Sequence, residues 1–501
     1  MGRLRRKKVV TDEGMEPAPI RPRAKSVWRV LTSLFVGLCA IGGFAWWQTH
    51  LPTRSAGENN AVAPRHAETV TEVTNEGGLT EPPSIPSAGQ DIEVAEAIAA
   101  ARQVVLQRPE SAEAWGVLGM VLYTHDFLEA AIQCFKQAER LDSQEPRWAY
   151  LLGHAARSTD AELAVDALRR ATELCGNEPP AVRLMYSEVL MEAYRLDEAE
   201  QQLKLYQLHR SDDLRLRLDL ARLVALRGDA RACYEQLLSL QRLFNNNPDY
   251  RNRQKQLLLL MAESLRRLRR PDEADQALQR ADQQAEATWP DPFYKEVFNR
   301  RVGLKVYLND GDSLFREREY DRSIELLTIA EGKYPDSIWA KILLARSLIR
   351  TGAPDSDRPD GPQRLARADD LLQAALQLDE NSVEAMFRLA VCKGYQGEYD
   401  AAIELYRRAV SVKPDFAMAH FNLAGILWNN KHDRAGAIEA FEATIRAEPS
   451  FVDGHFGYGQ LLMQMERYAD AEKQFDEAVR LQPDSRAIRA ALGESRRRQG
   501  N

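Results

Sequence analysis

Large and small apolar residues recur along this chain with a spacing of about 34 residues. Trp115, Leu118, Gly119 and Leu122 are followed by Ala131, Phe135 and Ala138. The same order returns at Met386, Leu389, Ala390, Tyr399, Ala402, Tyr406, Ala409 and Pro414. It returns again at His420, Leu423, Ala424, Leu427, Ala437, Phe441 and Pro449. A further copy has His455, Tyr458, Gly459, Leu462, Tyr468, Ala471, Phe475, Ala478 and Pro483. Within each copy the first group sits three to four residues apart and so shares one helix face; the small-large-small trio forms a stripe on a second helix. Ala or Gly at the small positions lets the two backbones approach, and the proline ends the second helix.

Weaker copies fill the middle of the chain. Ser187, Leu190, Ala199, Leu203 and Tyr206 keep the frame, as do Ala221, Val224, Cys233, Leu237 and Leu240. Ala262, Leu265, Ala274, Leu278 and Ala281 follow, then Leu314, Ser323, Leu327, Ala330 and Pro335. A copy around Leu151, Ala164, Leu168 and Ala171 has a shortened turn at Ser158 to Asp160. A unit beginning near Trp339 is interrupted over 351–362, rich in Pro, Gly and Asp, which predicts an exposed loop between two helices. The pattern predicts about ten units over 111–484, a capping half-unit over 91–110 and a polar capping helix over 485–501. One helix pair cannot cover its own apolar stripe, so the units must stack on one another.

These units resemble tetratricopeptide repeats, most specifically in the first and the last three copies. The resemblance implies an all-α fold, a right-handed superhelical solenoid of antiparallel helix pairs, and ligand contacts from exposed positions of each first helix. Carried onto the last three units, those positions are Phe387, Val391 and Tyr395; Met418, Phe421, Gly425 and Trp428; and Phe456, Gln460 and Met463. An exposed apolar strip of this kind is removed from water by a bound partner. The alternative is that the aromatics fill the space between units. Family members that grip a chaperone's C-terminal carboxylate use a ring of Lys, Arg and Asn, and this groove lacks one; Arg388 and Lys393 fall at other positions.

The N-terminal segment predicts the address. Over 1–26 and its flank, nine Lys or Arg face three acids before the uncharged apolar run Val30–Trp47, 18 residues long. That length just spans a bilayer, and Trp28, Trp46 and Trp47 suit its interfaces. The reading is one transmembrane helix over 27–48, with the basic tail in the cytoplasm and the repeats exported across an inner membrane. A cleaved signal peptide is the competing reading, although the run exceeds the usual apolar core and ends in tryptophans. Residues 49–90 are rich in Pro, Gly, Ser, Glu and Asn and predict a disordered tether.

Charge and chemistry narrow the function. Net charge is −7 with 28% charged residues and no broad basic stripe, so no nucleic acid is expected as a partner. The five cysteines form no CxxC pair. The chain carries no nucleophile elbow, phosphate loop, HExxH or zinc spacing, so no enzyme activity, cofactor or metal is predicted. His420 and His455 are 35 apart, but they occupy the packing position of Trp115 and Met386. The expected function is a non-enzymatic, membrane-anchored scaffold that binds a protein or peptide in its concave groove. The alternative is an accessory subunit of a cell-envelope, secretion or cytochrome c assembly machine.

Overall fold

The computed structural model describes residues 81–500 apart from 88, 248–253, 283, 285–288 and 357. The basic tail, the apolar run at 30–47 and the linker up to residue 80 lie outside the described residues. Among the described residues no helix is long and apolar enough to cross a membrane.

The described residues contain 23 α-helices, twenty of which form ten pairs, nine joined by turns of two to four residues and one by the eight residues 353–360. The first helix is α1 (Ile92–Gln107). Five pairs follow: α2 (Ala112–Thr124) with α3 (Leu128–Leu141), α4 (Pro146–Ala156) with α5 (Ala161–Cys175), and α6 (Pro180–Glu192) with α7 (Leu196–Gln207). Then come α8 (Leu214–Leu226) with α9 (Ala230–Asn246), and α10 (Gln254–Arg267) with α11 (Pro271–Asp282). The short α12 (Pro292–Phe298) precedes α13 (Leu304–Arg316), α14 (Tyr320–Lys333), α15 (Ile338–Gly352) and α16 (Gly361–Leu378). The remaining pairs are α17 (Val383–Gln396) with α18 (Tyr399–Val412), α19 (Ala417–Asn429) with α20 (Arg434–Ala447), and α21 (Val452–Gln464) with α22 (Tyr468–Leu481). The last helix is α23 (Arg486–Gln499).

Each pair is locked by a small residue on its first helix facing a large one on its second. A Cβ added at Gly459 would lie 2.5 Å from the Phe475 ring, one at Gly119 2.7 Å from Phe135, and one at Gly153 2.5 Å from Leu168. The missing side chain is what lets the ring reach the opposite backbone. A second lock joins successive units. The indole of Trp115 donates to the carbonyl of Pro109 at 2.8 Å, and the ring nitrogens of His420 and His455 lie 3.0 Å from the carbonyls of Pro414 and Pro449. The prolines at 109, 414 and 449 therefore each give their carbonyl to the next unit. Both histidines are structural, and among the described residues no group of His, Cys, Asp and Glu could hold a metal ion.

Most turns within pairs put one residue in the left-handed region, where a Cβ is strained. Gly228 and Gly397 do so without strain, whereas Asp126, Tyr194, Arg269, Arg318, His432 and Glu466 have φ between 56° and 67°. The interruption at 351–362 is pinched at its base by the close approach of two glycines; a Cβ on Gly352 would lie 2.8 Å from the carbonyl oxygen of Gly361. A 3₁₀ turn at Pro354–Ser356 and exposed Arg358 to Asp360 complete it.

The chain separates into two compact units, one comprising residues 81–351 and 370–379 and the other 352–369 and 380–500. In the N-terminal unit a continuous core runs from Val94 to Leu223 and takes in Val297 from α12. The predicted disorder does not extend through residue 90. Arg102 donates to the carbonyl of Pro82 at 3.2 Å, and Ile85 packs on the core, because α1 leaves an apolar face that this extended stretch covers. In the C-terminal unit α17 to α23 pack in sequence order, each pair on the next. Ile488 and Leu492 of α23 turn inward and are buried while its arginines stay outside.

Candidate functional site

The small residue of each first helix sets a register for the face that lines the groove. Groove positions lie six and three residues before it and one, four and five after it. In the N-terminal unit this register selects Tyr123 on α2, Arg147, Tyr150, His154 and Arg157 on and just after α4, Glu188 and Glu192 on α6, Arg215 and Arg222 on α8, and Gln256 on α10. The sequence reading stops short of these residues. The same register counted from Gly153, Ser187, Ala221 and Ala262 would have found them.

This face is filled by the chain itself. Beyond α11 the chain runs back along the first helices, and the segment 289–303 contacts their groove positions in reverse order. The Trp289 indole donates to Gln256 Oε1 at 3.1 Å, and the Arg215 guanidinium lies 5.9 Å from its ring. Tyr150 donates its hydroxyl proton to the Asp291 carboxylate. Asp291 also caps α12 by accepting from the Tyr294 amide at 2.9 Å. Phe293 lies 5.5 Å from the Tyr150 ring, and Tyr294 is stacked on His154 at 4.7 Å. Arg147 donates to Glu296 at 3.1 Å, and Val297 is 1% exposed.

The chain then closes on its own beginning. Asp91, the N-cap of α1, accepts the Leu304 amide at 2.7 Å and the Tyr334 hydroxyl at 2.8 Å. Gly303 permits this contact. Its φ is 94°, and an added Cβ would lie 2.9 Å from the Asp91 carboxyl. Glu93 beside it takes Lys333 as an ion-pair partner and the Tyr334 hydroxyl at 3.0 Å. Burial pushes the Glu93 carboxyl up, but the hydrogen bonds from Lys333 and Tyr334 outweigh it and hold the group below the usual range.

Charges beneath the segment are paired across helices. Arg157 bridges Glu188 at 3.3 Å and Glu192, and Arg215 bonds Glu188 at 2.8 Å while only 7% exposed. Burial and the nearby Glu188 push the Asp219 carboxyl well up, and its Oδ2 has no hydrogen-bond partner. Burial also holds His154 neutral, its value pushed down to about 4. The Tyr123 hydroxyl lies 2.6 Å from its Nδ1.

The groove of the C-terminal unit differs from the sequence expectation at four positions. Phe387, Met418, Phe421 and Trp428 are buried, with 3–7% exposure, and are not an open strip. Phe387 packs between Tyr406 and Phe416, at 5.9 and 5.0 Å. Phe421 does the same between Phe441 and Phe451, at 6.0 and 5.3 Å. The aromatic three residues before the small position thus fills the gap between successive units. Trp428 lies edge-on to Phe441 at 6.3 Å, and its indole donates to Gln464 Oε1 at 2.7 Å. Phe456 is half-buried against Phe475 at 5.8 Å. Val391, Tyr395, Gln460 and Met463 are half-buried at the remaining groove positions. Between them, a Cβ added at Gly425 would meet nothing within 4 Å.

Comparisons with known proteins bear on the repeats. The family model described as tetratricopeptide repeat matches residues 93–146, 118–179, 430–485 and 459–501, and the model described as TPR repeat matches 395–431. No curated protein sequence matches the chain. Among solved structures, the MamA protein is 22% identical over 36% of this chain and 92% of its own, with a TM-score of 0.30. YrrB, titled a TPR protein with an unusual peptide-binding site, is 17% identical over 41% of this chain and 98% of its own, at 0.29. Yeast Tom70 is 15% identical over 77% of this chain and 95% of its own, at 0.35. The stretches 93–179 and 395–501 match the family models, so the chain carries tetratricopeptide repeats there, and helix pairs with the same small-to-large lock, such as Gly311 against Leu327, continue between them.

Proposed function

We propose that the chain is a membrane-anchored, non-enzymatic scaffold that holds a protein or peptide partner, with the groove of the C-terminal unit as the partner site. The observation that carries this reading is the open space over Gly425. A glycine inside a helix costs about 1 kcal/mol relative to alanine. Here it is not required for packing, since nothing lies within 4 Å of where its Cβ would be. Half-buried Val391 and Gln460 hold the same register position as Gly425 on α17 and α21, and half-buried Tyr395, Phe456 and Met463 hold the register positions beside them, so these six residues are the ones assigned to the partner cleft. In the N-terminal unit the equivalent face is covered by residues 289–302, which favours the C-terminal groove as the site a partner reaches without displacing a segment of the chain. The address rests on the charge asymmetry around Val30–Trp47, which supports a cytoplasmic N-terminus and exported repeats.

Two substitutions at one position test the reading. Gly425→Ala should raise the melting temperature slightly and retain partner capture from a detergent extract. Gly425→Leu should leave the fold intact and reduce capture at least tenfold. Equal capture by both would remove this cleft as the site. An alkaline phosphatase fusion at Asn501 that is inactive would overturn the exported topology.

A further inference from the structure

The segment 289–302 sits on the N-terminal groove as a peptide ligand would. Its contacts fall on register positions of four first helices: Gln256, Arg215, Tyr150 with His154, and Tyr123. Each is made by a side chain suited to peptide recognition: an amide accepting an indole proton, a tyrosine hydroxyl on a carboxylate, an imidazole face on a phenol ring and an arginine on Glu296. These are contacts between side chains, which another chain of the same sequence pattern would reproduce.

The segment is also held less deeply than the helices beneath it. From Asp291 to Arg300, Val297 alone is fully buried, and Pro292, Lys295, Glu296, Phe298, Asn299 and Arg300 are exposed. Phe298 keeps 47% of its surface in solvent. By contrast Leu151, Leu152, Ala155 and Ala156 of α4 are at most 1% exposed. A helix of seven residues has no stability of its own and depends on the surface it lies on. The Arg157–Glu188 and Arg215–Glu188 pairs on the floor of the groove are made without it.

We infer that the N-terminal groove is a second peptide site, occupied in cis by residues 289–302, and that it takes in exchange a partner segment of the same chemistry. That chemistry is an aromatic peptide with a tryptophan, an aspartate two residues later, and then two adjacent aromatic residues opening a short helix, as in Trp289, Asp291, Phe293 and Tyr294. The tethered segment has an effective concentration in the millimolar range. An external peptide therefore binds measurably only when the cis segment is weakened or the partner adds contacts of its own. The site is separate from the C-terminal cleft and does not rest on it.

The test uses the full chain and a fluorescent peptide of residues 289–302. The wild-type chain should bind it weakly. The double variant Phe293→Ala with Tyr294→Ala should bind it at least tenfold more tightly. Adding Tyr150→Phe and His154→Ala to that variant should abolish the gain, and Gly425→Leu should leave it unchanged. A folded double variant that binds no more peptide than wild type would overturn the proposal. If the double variant does not fold, hydrogen exchange on the wild-type chain decides. Amides of 292–298 exchanging as a group at least tenfold faster than those of 146–156 support exchange of the segment, and equal protection makes the segment a permanent part of the core. A swapped dimer carrying the segment between copies would overturn the partner reading.

Discussion

The imidazole of His154 is stacked on the ring of Tyr294, centroids 4.7 Å apart and planes inclined by 17°. This contact joins the second helix pair to a segment far along the chain, in a site whose burial favours the uncharged imidazole. Burial lowers the His154 value from 6.5 to about 4, while Asp291 and Glu188 pull it up and Arg157 pulls it down. The folded value lies below the unfolded one, so the unfolded chain binds the extra proton. Stability from the neutral stack is complete above about pH 6.5 and is lost as pH falls towards 4, by about 3 kcal/mol in all. Melting temperature measured across that window should fall. His154→Phe keeps an aromatic face and removes the titration, so the fall should shrink; an unchanged profile would contradict this assignment.

Asp91 holds the beginning of the N-terminal unit to its sixth helix pair through the Leu304 amide and the Tyr334 hydroxyl. Asp91→Ala removes a helix cap and the acceptor of the Leu304 amide, leaving the Tyr334 hydroxyl to Glu93 alone, at a cost of about 1–3 kcal/mol. Hydrogen exchange should quicken both in α1 and around residues 304–334. Loss confined to α1 would mean that the closure does not depend on this carboxylate.

Stability along the C-terminal unit should be local. Phe475 is 1% exposed and fills the space that Gly459 leaves open. Phe475→Ala should cost about 3–5 kcal/mol, with protection lost first in α21 to α23. Uniform loss through the whole chain would contradict packing in which units depend mainly on their neighbours.

The helix pairs are legible in the sequence because each carries its own lock. Gly459 with Phe475, Gly119 with Phe135 and the prolines at 414 and 449 are visible as spacing alone. The groove register is legible too, and it names Arg147, Tyr150 and His154 as readily as Val391 and Gln460. What periodicity does not encode is occupancy. Trp289 to Val302 has no repeat spacing, and its partners are long-range, such as Tyr150 with Asp291. Burial at Phe387 and Phe421 is likewise set by Phe416 and Phe451, which come from the links between units and not from the repeated helices.

On the function proposed above, a partner enters the C-terminal cleft while the N-terminal groove stays covered by the chain's own segment. Hydrogen exchange of the full chain, free and saturated with the captured partner, tests it most directly. New protection should appear in 383–396, 417–429 and 452–464, centred on Val391, Gly425 and Gln460. Protection gained only in other helices, with these three unchanged, would contradict it.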